Sequence, residues 1–144
     1  MTQDRSTELA VFLLRAALGV MFLAHSVLLK LFVFTLPGTA TFFGSIGLPQ
    51  WLAYVVFVME AAGGTMLVLG VQARWVALAL LPVLLGAVWT HWGNGWMFAN
   101  ASGGWEYPLY LSLLAVAQSL LGDGSYALMR SAPIASPLPA RATA

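Results

Sequence analysis

"WLAYVVFVMEAAGGTMLVLGVQARWVALALLPVLLGAVWTHW", Trp51 to Trp92, decides the fold: two apolar runs stand back to back with only Gln72–Arg74 between them. Each run, Trp51–Val71 and Trp75–Trp92, is long enough to cross a bilayer as a helix, and so short a connection makes the pair antiparallel. Neither run alternates in polarity, as barrel strands of about ten residues would. In hydrocarbon a single segment of this length satisfies its backbone only as a helix.

Working outward, Leu9–Leu29 reads as a span before this pair and Tyr107–Leu121 as a shorter one after it. Six basic and five acidic side chains in 144 residues, against 60% apolar residues, cannot cover the surface of a soluble domain of this size. Lipid is therefore the expected partner. A net charge of +1 with no basic cluster offers nucleic acid nothing to grip. The absence of cysteine removes disulfides, thiolate metal sites and iron–sulfur clusters. The expected fold class is an all-α membrane protein: a four-transmembrane-helix bundle over 9–128, a leader over 1–8, and a disordered Pro/Ala-rich tail over 129–144. Asp4 and Glu8 beside Arg5, and the lack of a small-x-small cleavage site, favour a retained first helix over a signal peptide.

An even number of spans puts both termini on one side. Arg5, Arg74, Arg130 and Arg141 fall there against Lys30 on the other, so N and C termini are expected in the cytoplasm. Lys30–Gln50 and Gly93–Trp105 are then extracytoplasmic loops. In the first, "PGTATFFGSIGLP" (Pro37–Pro49) suits a short interfacial helix capped by Thr39. The second lies within "HWGNGWMFANASGGWEYP" (His91–Pro108), whose Trp92, Trp96 and Trp105 suit the membrane boundary and whose glycines let it fold as a lid. Asn100 opens a glycosylation sequon that matters only in a eukaryotic secretory setting.

Few ionisable residues enter the spans. His25 and His91 each stand about 24 Å above the inner ends of their helices, and Glu60 lies about 13 Å below Trp51. Glu106 opens the last span, so two imidazoles and two carboxylates belong to the outer half. Arg15 lies about 9 Å above the inner end, leaving roughly 8 Å of height to Glu60 in a core about 30 Å thick. A charge facing lipid costs at least about 2.5–3.5 kcal/mol, so Arg15 and Glu60 are expected to point inward and form a structural ion pair, with a functional role standing beside that reading. Gly63 and Gly64, one turn below Glu60, suit close helix packing better than a slot for a flat ligand. Tyr107, Tyr110, Leu114 and Gln118 follow helical spacing as a stripe that either packs or lines a ligand, and Pro82 should kink the third span. For His25 and His91 three readings stand: interfacial hydrogen bonding, ligation of haem or a metal ion, and proton exchange with a ligand. No ligand spacing here has the specificity of a metal motif.

"LGVMFLAHSVLLKLF" (Leu18–Phe32), "FFGSIGLP" (Phe42–Pro49), "MEAAGGTMLVLGVQAR" (Met59–Arg74), "THWGNGW" (Thr90–Trp96) and "GGWEYPLYL" (Gly103–Leu111), taken in order, resemble the DoxX family of small bacterial membrane proteins. The resemblance implies a multi-pass protein of the bacterial cytoplasmic membrane, related to a subunit of thiosulfate:quinone oxidoreductase. It carries the family's histidines onto His25 and His91, its lysine onto Lys30, its buried glutamate onto Glu60, its turn arginine onto Arg74 and its late glutamate onto Glu106. The usual glycine after the first histidine is Ser26 here. The expected function is a quinone-linked oxidoreductase subunit with quinone as cofactor or ligand. His25, Glu60, His91 and Glu106 would be the proton-exchanging groups of one pocket, with Lys30, Trp92, Trp105, Tyr107, Tyr110 and Gln118 against the ligand. Electrons would come from a redox partner protein or another cofactor, and a homo-oligomer is left open. The alternatives are a non-catalytic anchor of a redox complex and a small proton-coupled transporter.

Overall fold

The computed structural model describes residues 2–134. Five α-helices follow one another: α1 (Gln3–Leu23), α2 (Leu36–Ser45), α3 (Leu52–Leu69), α4 (Ala73–His91) and α5 (Glu106–Leu121). No strand occurs among the described residues; the single β-bridge pairs Val71 with Met129. Three helical segments, Gln3–Val33, Leu52–Leu69 and Ala73–Asn94, are long and apolar enough to cross a membrane. The 16 residues of α5 span about 24 Å.

The first helix is longer than its apolar run. It continues as π-helix from Ala24 to Val33, so Lys30, expected to begin a loop, still rides on a helix. Where the pairing loosens, the side chains of His25 and Ser26 reach back one turn, to the carbonyls of Met21 at 2.9 Å and Phe22 at 2.8 Å. A short helix does follow, but its cap is Thr35, whose hydroxyl accepts from the Gly38 amide, with Pro37 in the first turn. The expected cap, Thr39, sits inside the helix and bonds back to Thr35 O, because Pro37 is tolerated only near a helix start. The fourth helix runs unbroken through Pro82.

The long helices pack α1 on α3 and α4 on α5, with α3 against α4 and α1 against α5 closing the bundle. Glycines set the closest approaches. A Cβ on Gly64 would stand 2.9 Å from Gly19 O, and one on Gly63 would meet the Leu80 side chain at 2.8 Å. The pair therefore serves packing against two neighbours, as expected from small residues in membrane helices. Leu18, Phe22, Leu67, Leu80 and Leu84 fill the core between them.

One end of the bundle carries the α3–α4 turn and the chain after α5. There Leu128 and Met129 pair with Leu69, Gly70 and Gln72, and Ser125 N donates to Glu8 O. Asp123, which the sequence reading passed over, accepts from Ala73 N at 2.9 Å and from Ser131 N at 2.7 Å. The beginning of the expected tail is thus bonded to the bundle, while 135–144 lie outside the described residues. At the other end, the loop between α4 and α5 forms the lid.

Candidate functional site

Arg15 does not pair with Glu60. It is fully buried near the turn end, where Nη2 donates to Ser125 O at 2.9 Å and the guanidinium fills the space left by the missing side chain of Gly70, held at φ +71°. The height difference between the two residues is resolved by Arg15 turning away to a carbonyl beyond α5. The partner of Glu60 is Lys30: Nζ donates to Oε2 at 2.6 Å, with side-chain exposures of 16% and 7%. The pair exists because the π-helical extension keeps Lys30 on the bundle, where its flexible stem can reach the carboxylate.

His25 stands on the same π-helical segment as Lys30. Because Met21 O can only accept, Nδ1 of His25 donates in this bond. On the lid side, Tyr107 stacks near His25, with centroids 6.3 Å apart, and Phe98 packs on Tyr107 at 5.5 Å. The pairs Lys30–Glu60 and His25–Tyr107 are thus drawn from the π-helical continuation of α1, from α3 and from α5.

His91 is placed differently. Its Nδ1 donates toward Ser102 O at 3.1 Å and Gly103 O at 3.2 Å, and Asn94 Nδ2 bonds the same two carbonyls. It latches the lid to the end of α4. Trp105 stacks on Trp92 at 4.6 Å and meets Trp96 edge-on at 4.5 Å, so these indoles pack on one another within the lid. Glu106 neither hydrogen-bonds nor ion-pairs through its side chain among the described residues. With Trp96, Phe98, Tyr107, Leu109, Tyr110 and Leu113 it lines a cavity of 410 Å³.

The expected single hollow for His25, Glu60, His91 and Glu106 is thus divided. His25 packs beside Tyr107 and Glu60 pairs with Lys30, whereas Glu106 lines the cavity and His91 serves the loop. The expected stripe on α5 divides too: Tyr110 is 60% exposed, whereas Gln118 is fully buried toward the turn end and donates to Gly122 O. The buried face of α5 is set by Pro108, Leu111, Ser112, Ala115 and Ser119, mostly small residues that let α4 approach and leave the tyrosines at its margin. Phe98 escaped the sequence reading because nothing local ties a loop phenylalanine to a helix tyrosine. No group of three or more metal-ligating side chains occurs among the described residues.

Apolar helices around a buried ion pair define an integral membrane protein that crosses the bilayer more than once, with its polar centre toward one end. Within that class the chain belongs to the DoxX family, whose profile matches residues 10–92 and so takes in His25, Lys30, Glu60 and His91. It is also 34% identical over 125 residues to "Putative oxidoreductase CatD" of Bacillus subtilis (strain 168), a match covering 87% of this chain and 88% of that one. No solved structure matches it.

Proposed function

We propose that this DoxX protein is a subunit of a quinone-linked oxidoreductase in the bacterial cytoplasmic membrane. It crosses four times with both termini in the cytoplasm, and it handles a quinone or phenol-like ring at the extracytoplasmic end of the bundle. The observation that carries this reading is the buried Lys30–Glu60 pair, with His25 beside Tyr107, a residue that also lines the 410 Å³ cavity. Interconversion of a hydroquinone and a quinone moves two electrons and two protons. His25 and Glu60 are the groups that take or return the protons. The electrons pass to or from a redox partner protein, since this chain has no cysteine to carry them. His91 acts by holding the lid in place.

The printed name of the Bacillus subtilis relative supports oxidoreductase chemistry. Alternating transport fits less well, because the turn end is filled by Arg15, Asp123 and the returning chain. The test uses membrane vesicles carrying the native protein, the Lys30→Met/Glu60→Met double variant, or no copy. The quinone pool should change redox state on addition of reductant at a rate that depends on the native protein and falls at least tenfold with the double variant. Equal rates in all three preparations end the proposal.

A further inference from the structure

The 410 Å³ cavity is not inside the bundle. It runs along the outer side of α5 from Glu106 to Leu113, about 10 Å of helix, and Trp96 and Phe98 of the lid roof it. Tyr110 and Leu113 on its wall are 60% and 61% exposed, on a helix whose core-facing side is Leu111, Ser112 and Ala115. In a bilayer that exposure is to acyl chains, so the slot opens sideways into the membrane. His91 and Asn94 hold Ser102 and Gly103 of the lid beside it.

We infer that this slot receives, from the outer leaflet, a ring amphiphile with an alkyl chain and a neutral or cationic head that donates a hydrogen bond to Glu106. The lining selects against anionic amphiphiles. Glu106 is its one charged residue, and Lys30 is held by Glu60 at 2.6 Å, so an anionic head meets repulsion and no counter-charge. A carboxylate only accepts hydrogen bonds, which favours a ring hydroxyl over a ring carbonyl. Trp96, Phe98, Tyr107 and Tyr110 supply aromatic surface for a planar ring. Leu109 and Leu113 continue the slot away from the lid, so a chain attached to that ring lies along α5 in the leaflet. The volume falls within the roughly 300–1,000 Å³ of small-molecule sites. This inference deepens the functional reading and takes from it only the ring; charge selection and lateral entry come from the cavity.

The experiment reads tryptophan quenching in lipid nanodiscs, using the difference between the native protein and Trp96→Phe as the signal of this site. Four probes are titrated: decylubiquinol, decylubiquinone, the same quinol without its chain, and dodecylbenzenesulfonate. Decylubiquinol should bind at least tenfold tighter than both the chainless quinol and the sulfonate, and several-fold tighter than the quinone. Glu106→Lys should reverse the order of quinol and sulfonate; should that variant fail to fold, Glu106→Gln should shrink their ratio at least threefold. Native protein that takes the sulfonate as well as the quinol, or a ratio untouched by changing Glu106, overturns the inference. Charge selection without any effect on the quinone pool retires the redox reading and leaves the slot standing; the converse result retires the slot.

Discussion

At the scale of single residues, Lys30 and Glu60 show how a buried charge is tolerated. Taken alone, either would be an uncompensated ion in hydrocarbon; at 2.6 Å they neutralise one another. Lys30→Met strands the glutamate and should cost about 3–5 kcal/mol, most of it recovered in Lys30→Met/Glu60→Met, where two apolar side chains replace the pair. A double-mutant cycle by thermal unfolding in detergent measures this, and additive single losses would contradict it. Gly70 makes a second case, because its φ of +71° and the Arg15 guanidinium occupy both the conformation and the space that a side chain needs. Gly70→Ala should lose about 1–2 kcal/mol for the left-handed backbone alone, and more from displacing Arg15. A melting temperature equal to that of the native protein would show that neither constraint binds.

Elements meet here through what they lack. The crossing of α1 and α3 rests on Gly19 facing Gly64, with backbone oxygen where a methyl group would go. Gly64→Ala should therefore destabilise by about 1–3 kcal/mol, as overpacking does. Gly86→Ala, on α4 with open space around the position, is the internal control and should be neutral or stabilising by up to about 1 kcal/mol. Equal effects at the two sites would mean that helix propensity, and not close approach, governs both. The π-helical end of α1 is the other decisive element, since it carries His25 and Lys30 toward α3 where an ordinary loop would release them.

For the whole molecule, a four-span arrangement places Thr2 and Leu128 on one side of the membrane and Asn100 on the other. The chain has no cysteine, so single cysteines at these positions report without further engineering. A membrane-impermeant maleimide should label Asn100→Cys from outside intact spheroplasts, and should reach Thr2→Cys and Leu128→Cys only after lysis. Labelling of all three from one side would break the four-span proposal. The same arrangement gives the molecule two unlike ends: one bonded shut by Asp123, Arg15 and the returning chain, the other carrying the ion pair, the cavity and the lid.

Hydropathy and length alone determined an all-helical membrane chain, the bounds of α3, α4 and α5 to within two residues, the short helix before α3 and the packing role of Gly63 and Gly64. These are local properties, set by how each segment meets lipid and by what fits where a side chain is missing. The partners of the charges were decided only in three dimensions. Height along ideal helices favoured Arg15 for Glu60, but a π-helical extension brought Lys30 within reach and a carbonyl from beyond α5 drew Arg15 away. The same holds for His91, which bonds the lid, and for Glu106, which lines the cavity. Hydrogen bonds and ion pairs act over about 3 Å, and which groups come that close depends on helix rotation and backbone irregularities that no single helix encodes.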